Sequence, residues 1–311
     1  MRCLITGATG FVGRHLAAAL LPAGHEVHGL ARRPADLAIP LHIADLADAA
    51  ATEAVVRAVR PDWVFHLAGY ASPGASFKDP PAAWAGNLTA SQGLYAAIHQ
   101  SGLKPRILHV SSGMVYGDLP AGVAAFTEDA PLRPASPYAA SKAAAEMLAY
   151  QQTRNPGLDV VRVRPFNHLG PGQPPEYAAA SFARQIAVAE RGDGPPVIVT
   201  GNLSPQRDLT DVRDMVRAYV RLIEVGRTGE AYNAASGQVY RIRAVLHRLT
   251  KLARVPVTVD ERGDPTRAGD VTVVAADASK LRAATGWAPE YTLDRTLADM
   301  LDEWRQRGGK D

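Results

Sequence analysis

The stretch Arg2-Cys3-Leu4-Ile5-Thr6-Gly7-Ala8-Thr9-Gly10-Phe11-Val12-Gly13 decides the fold. Arg2–Thr6 is a strand-length apolar run, and the residues from Phe11 to Leu21 have helical apolar spacing. Between them stands GxxGxxG. Glycine allows the tight turn and lets backbone N–H groups close on a pyrophosphate, which the positive end of the following helix also favours. A glycine pattern alone is a weak signal. The strand before it and the helix after it give the context that a dinucleotide-binding loop requires. Gly7, Gly10, Phe11, Val12 and Gly13 are therefore expected to hold a dinucleotide, with an ordinary glycine-rich turn as the alternative.

Outward from this loop the pattern alternates. Strands are predicted at 26–30, 41–43, 63–67, 106–111 and 159–164, and helices at 48–59, 84–101 and 137–154. Strand–helix alternation of this kind implies a parallel sheet covered on both faces. The expected fold is therefore α/β, a Rossmann-type doubly wound sheet. After Arg164 the rhythm breaks at 170–175 and 192–196, which are rich in Pro and Gly. Helices near 178–191, 212–225, 242–253, 277–285 and 293–305, with short strands near 197–200 and 257–259, predict a smaller mixed α/β lobe. The division expected is residues 1–165, rejoined by about 206–235, for the dinucleotide. Residues from about 166 to 205 and 236 to 311 would form the lobe for a second ligand.

Bulk composition narrows the classes. Of 311 residues, 47% are hydrophobic and 21% charged, which is ordinary for a globular enzyme. The net charge of +3 is small and interspersed, with no basic stripe, so nucleic acid is not an expected partner. Nor is a membrane: no apolar run reaches spanning length, and a cytoplasmic location is expected by default. The single cysteine, Cys3, builds neither a disulfide framework nor a metal site, and no His/Asp/Glu grouping has metal-ligand spacing.

The end of the second strand selects between cofactors. An acidic residue there suits the ribose hydroxyls of NAD. The chain instead has Ala31-Arg32-Arg33. Two arginines suit a 2′-phosphate, so NADP(H) is preferred and NAD(H) stays open, with solvated surface arginines as the alternative. Asp45 and Leu46 are placed for the adenine ring. Leu67, Ala68 and Gly69 end the fourth strand, where small residues let the backbone approach the cofactor.

Tyr138-Ala139-Ala140-Ser141-Lys142 puts a phenol and an ammonium on one helix face. An ammonium nearby lowers a phenol's pKa from its ordinary value near ~10, which suits proton transfer at a carbonyl oxygen. Lys142 would also reach the nicotinamide ribose. Ser112, in Ser111-Ser112-Gly113-Met114-Val115-Tyr116-Gly117, ends the fifth strand, the edge at which ligands bind in open α/β sheets. The expected catalytic set is Ser112, Tyr138 and Lys142, with Tyr138 and Lys142 also touching the cofactor.

These motifs, with His66-Leu67-Ala68-Gly69, Asn87 and Arg164-Pro165-Phe166-Asn167, resemble the extended short-chain dehydrogenase/reductase family over nearly the whole chain. That family includes sugar-nucleotide epimerases, 4,6-dehydratases and 4-ketoreductases. By resemblance, Asn87 is a structural polar residue. Dehydratases carry carboxylates where this chain has Gly113 and Met114, so dehydration is not expected. Arg164–Gln173, Gly201-Asn202-Leu203 and Arg207–Asp214 resemble GDP-4-keto-6-deoxymannose reductases.

The resemblance implies NADPH-dependent reduction of an NDP-4-keto-6-deoxyhexose, with GDP-4-keto-6-deoxymannose as the expected substrate. Ser112, Asn167, Arg207 and Arg267 would contact that substrate, the last three at its diphosphate. His168 is expected to be a packed structural histidine. The nearest alternative is an NAD-dependent sugar-nucleotide 4-epimerase, and a remote one is a non-catalytic dinucleotide-sensing protein. Relatives pair two long helices across a two-fold axis, so a homodimer through a four-helix bundle is expected.

Overall fold

A computed structural model describes residues 1–262 and 273–308. Arg267 therefore lies outside the described residues. The elements in chain order begin with β1 (Arg2–Thr6), α1 (Phe11–Leu20), β2 (Glu26–Ala31), β3 (Leu41–Ile43), α2 (Ala49–Val59) and β4 (Trp63–His66). Next come α3 (Pro80–Trp84), α4 (Ala90–Ser101), β5 (Arg106–Val110), α5 (Pro137–Arg154) and β6 (Val160–Pro165). The remainder is β7 (His168–Leu169), α6 (Ala178–Arg191), β8 (Val197–Thr200), β9 (Gln206–Asp208), β10 (Thr210–Asp211), α7 (Val212–Val225), β11 (Ala231–Ala234), β12 (Val239–Arg241), α8 (Ile242–Leu252), β13 (Thr258–Glu261), β14 (Val273–Val274), α9 (Ser279–Thr285) and α10 (Leu293–Gln306).

Seven strands form one parallel sheet in the order β11-β6-β5-β4-β1-β2-β3. The order reverses at β1, and the crevice at that switch point is where such sheets bind ligands. The central strands are buried along almost their whole length because helices cover both faces. On one face α1 and α7 pack through Leu16, Leu20, Met215 and Leu222; on the other, Val56, Leu94, Ile98 and Ala149 come from α2, α4 and α5. A separate apolar core, containing Phe182, Ile186, Leu246, Leu297 and Trp304, holds α6, α8 and α10 together.

The doubly wound sheet agrees with the sequence reading, and two elements of this fold differ from it; outside the sheet the short strands β7, β9, β10, β12 and β14 are not among those expected. The helix expected from Trp84 starts at Pro80, where Asp79 accepts a hydrogen bond from the Ala82 N–H and a proline takes the first turn, as it readily does. That helix then widens into a π turn over Ala85–Thr89 before continuing as α4. The seventh strand, β11, escapes the sequence reading. Its four residues, Ala-Tyr-Asn-Ala, carry no apolar alternation, and it is held by pairing to β6. Among the described residues no helix is long and apolar enough to cross a membrane.

Candidate active site

The glycine loop turns sharply between β1 and α1. Gly7 has φ 72°, and a Cβ there would stand 2.8 Å from the Ala68 N–H nitrogen. A Cβ on Gly13 would lie 2.7 Å from the Ala8 Cα. The loop is therefore built as a bare backbone cradle at the N-terminus of α1, a fit for a dinucleotide pyrophosphate. Gly7, Gly10, Phe11, Val12 and Gly13 all face one large cleft of about 2060 Å³. Small-ligand pockets usually measure about 300–1,000 Å³, so this cleft has room for two extended ligands.

The other expected cofactor residues line the same cleft. Arg32 and Arg33 stand exposed at its edge after β2, with no ion pair or hydrogen bond among the described residues. Asp45 is also there, its carboxylate accepting from the Ala47 N–H at 3.0 Å, with Leu46 buried beside it. Leu67, Ala68 and Gly69 form the wall after β4. That wall is held from behind by a polar chain. The Ala68 N–H donates to Thr6 Oγ1 at 3.2 Å, and Thr6 donates to His66 Nδ1 at 2.9 Å, because the neutral His66 ring donates its one proton from Nε2 to Ser91, whose own proton goes to the Asn87 carbonyl. His66 Nε2 then meets Ser91 Oγ at 2.9 Å, and Ser91 donates to the Asn87 carbonyl at 2.6 Å. Asn87 sits in the π turn. Its Oδ1 accepts from the Tyr70 N–H and its Nδ2 donates to Ser141 Oγ, both at 2.9 Å, tying the wall to α5.

Ser112 and Tyr138 lie at the cleft floor. Ser136 caps α5, its hydroxyl accepting from the Ala139 N–H, and Pro137 occupies the first turn; this fixes where Tyr138 and Lys142 emerge. Burial pushes the Tyr138 phenol up to about 12, against the nearby Ser112 hydroxyl, which pulls it down. The spacing alone has Lys142 lowering this phenol. Its Nζ instead donates to the Val110 carbonyl at 3.1 Å, and burial lowers the ammonium to about 8. Desolvation dominates both groups, so Tyr138 stays a protonated acid at neutral pH.

Behind the floor, Glu146 is fully buried between two arginines, at 3.0 Å from Arg162 and 2.6 Å from Arg164. It also accepts from Ser111 Oγ at 2.6 Å, which anchors the strand end that carries Ser112. Gly113 follows, and a Cβ there would press to 2.7 Å against the Phe166 ring. Phe166 therefore occupies the space that a side chain at position 113 would need. Met114, next to it, lines the cleft with a thioether that transfers no proton.

On the opposite side Asn167 is exposed into the cleft and Arg207 lines it. Arg207 NH1 donates to the Gln206 carbonyl at 2.9 Å. Three further residues line this side. Tyr177 donates to the Ala71 carbonyl, 106 residues earlier in the chain, at 3.1 Å. Arg262, paired with Asp260 at 2.7 Å, and His168 are the others. Nothing in the sequence marks Tyr177 or Arg262, because each reaches the cleft through packing between elements distant in sequence. His168 is packed, as expected, but it also faces the cleft.

This geometry agrees with the comparisons with known proteins. The model of the NAD dependent epimerase/dehydratase family matches residues 3–235. The chain belongs to that family. A GDP-6-deoxy-D-mannose reductase of Pseudomonas aeruginosa is 35% identical over 308 residues, covering 98% of each chain. The solved structure of RMD from Pseudomonas aeruginosa complexed with NADPH superposes with a TM-score of 0.89 at 34% identity, covering 99% of this chain and 100% of that one. A UDP-glucose 4-epimerase of Thermus thermophilus, in complex with NAD, superposes at 0.88 with 30% identity, covering 99% and 100%. As a member of this family the chain is an NAD(P)-dependent oxidoreductase, and its cofactor is a nicotinamide dinucleotide.

Proposed function

We propose that the enzyme reduces the C4 ketone of an NDP-4-keto-6-deoxyhexose with NADPH, and that the substrate is GDP-4-keto-6-deoxymannose. The observation that carries this reading is the cleft floor. A buried, protonated phenol and a serine hydroxyl stand together there, with no carboxylate at positions 113 and 114. Such a floor can protonate an oxygen but has no acid–base pair for eliminating water from a sugar. The similarity to a GDP-6-deoxy-D-mannose reductase supports the same reaction.

The glycine loop would hold the dinucleotide's pyrophosphate, Asp45 and Leu46 would hold its adenine, Leu67–Gly69 would back it along the wall, and Arg32 and Arg33 would take a 2′-phosphate. When bound, the reduced nicotinamide supplies the hydride. Ser112 holds the ketone oxygen, and Tyr138 gives its proton to that oxygen as the alkoxide forms. Lys142 orients the cofactor ribose beside Tyr138 and favours its phenolate after the transfer. Asn167 and Arg207 hold the diphosphate and so fix which face of the sugar meets the nicotinamide.

A 4-epimerase would use the same floor, and the likeness to a UDP-glucose 4-epimerase structure supports it as the second reading. It differs in retaining NAD through each turnover and in consuming none. Supplying GDP-4-keto-6-deoxymannose with NADPH deuterated at both nicotinamide C4 positions separates the two readings. The reductase yields a GDP-6-deoxyhexose with deuterium at the sugar C4, whereas recovery of unlabelled sugar would count against it.

We further propose a homodimer formed through α4 and α5. Met147 and Tyr150 are exposed apolar residues of α5, and Trp84 of α3 is exposed as well. Light scattering giving twice the 33.1 kDa chain mass would support the pairing, and a monomer at micromolar concentration would not.

A further inference from the structure

We infer that His28 and His42 form a two-imidazole site for a late first-row divalent cation, of the class of Zn2+, Ni2+ and Cu2+, at the β3 edge of the sheet. Neither residue lines the cleft. A separation of 14 residues hides the pair in the sequence, and the pairing of β2 with β3 brings it together. Leu30 stands opposite His42 in that register, so residues 28, 30 and 42 share one face of the sheet.

The two rings have the spacing of a chelate. His28 Nδ1 and His42 Nε2 stand 3.2 Å apart. Two nitrogens each about 2.0–2.1 Å from a tetrahedral Zn2+ are about 3.3–3.4 Å from one another, so the rings need move only slightly to hold one ion. Both imidazoles are partly exposed, which leaves an entry path from solvent.

The protons are placed to suit. His28 Nε2 lies 2.9 Å from Glu26 Oε1. An ionised carboxylate only accepts, so Nε2 carries the proton and Nδ1 of the neutral ring has the lone pair. A carboxylate on the far nitrogen of a ligating imidazole orients the ring and raises its basicity. Glu26 is in turn held by Arg2, whose Nε donates to Oε2 at 3.1 Å. Without an ion, His42 Nε2 donates to the His28 lone pair. With one, the His42 proton moves to Nδ1, a change of tautomer in a neutral ring.

The donor set selects the ion. Imidazole nitrogens favour Zn2+, Ni2+ and Cu2+, whereas Mg2+ and Ca2+ take oxygen. Among the described residues no third His, Cys, Asp or Glu joins the pair as a ligand. Water therefore completes the coordination, and the ion exchanges with solvent. A bound ion clips the edge strand β3 to β2, two residues before Ala44 at the rim of the cleft.

The test uses the full, untagged chain, titrated with Zn2+ and with Ni2+ in a calorimeter, and with Mg2+ as the control. One site should take Zn2+ and Ni2+ and ignore Mg2+. Loss of an outer-shell partner weakens a metal site about 10- to 100-fold, and Glu26→Ala should fall at the lower end because Glu26 is exposed. His28→Gln and His42→Gln each remove one of two ligands and should weaken binding by about 100-fold or more, beyond the outer-shell effect. A second measurement needs no variant. Substoichiometric Cu2+ should broaden the ring signals of His28 and His42 in the NMR spectrum before those of the other histidines. The inference is overturned by a wild-type protein that takes neither Zn2+ nor Ni2+, by full affinity in both histidine variants, or by broadening that begins at other histidines.

Discussion

Lys142→Met should make the ligand-free protein more stable at neutral pH while destroying its activity. Lys142 is 8% exposed, and burial takes its ammonium from an ordinary value of 10.5 to about 8. Each pKa unit corresponds to about 1.4 kcal/mol, so keeping this group charged in the fold costs on the order of 3 kcal/mol. Methionine has similar length and no charge to desolvate. It forfeits the hydrogen bond to the Val110 carbonyl, a loss of about 1–2 kcal/mol, which leaves a net gain of about 1–2 kcal/mol. The sign follows from proton counting. Below pH about 8 the lysine is charged in both states, and the fold bears the whole cost. Between about 8 and 10.5 the unfolded chain binds more protons, so wild-type stability rises with pH and the advantage of the variant shrinks. Urea unfolding without dinucleotide, at neutral pH and again near the top of that window, measures both effects. A variant no more stable than wild type at neutral pH, or an advantage that grows with pH, would refute the reasoning.

Tyr138→Phe should abolish turnover and leave the dissociation constant for NADPH within about 10-fold of wild type, since the phenol adds at most one hydrogen bond to cofactor binding; fluorescence titration and a rate assay check this. Replacing Arg32 and Arg33 together with Ala should weaken NADPH by about 100-fold or more and NADH hardly at all, because two charge-assisted hydrogen bonds of about 1.5–3 kcal/mol each are lost only where the 2′-phosphate is present; titration with each dinucleotide measures the difference. Gly113→Ala should cost about 1–3 kcal/mol in urea unfolding through its clash with the Phe166 ring, and Phe166→Leu in the same chain should return part of that loss.

The doubly wound sheet is legible in the sequence because its strands and helices each carry their own period, and the glycine loop because only glycine fits where it turns. Ser112, Tyr138 and the cleft wall at Leu67–Gly69 can be found from motifs, since each is a short segment at the end of a strand or the start of a helix. What cannot be read depends on distant packing. β11 has a sequence without alternation and exists through its partner β6. The π turn at Asn87 is a matter of how one helix meets the Tyr70 backbone. Spacing places Lys142 on the same helix face as Tyr138, yet it says nothing of the desolvation that keeps the phenol protonated. The glycine at 113 signals a missing carboxylate; that Phe166 fills its place requires the fold.

Reduction of the C4 ketone is tested most directly by nicotinamide absorbance during incubation with GDP-4-keto-6-deoxymannose, with NADPH and NADH compared side by side. The NADPH signal should fall in step with the appearance of a GDP-6-deoxyhexose, and fall faster than the NADH signal. No loss of signal with either cofactor, from protein shown to bind NADPH, would contradict the proposed reaction.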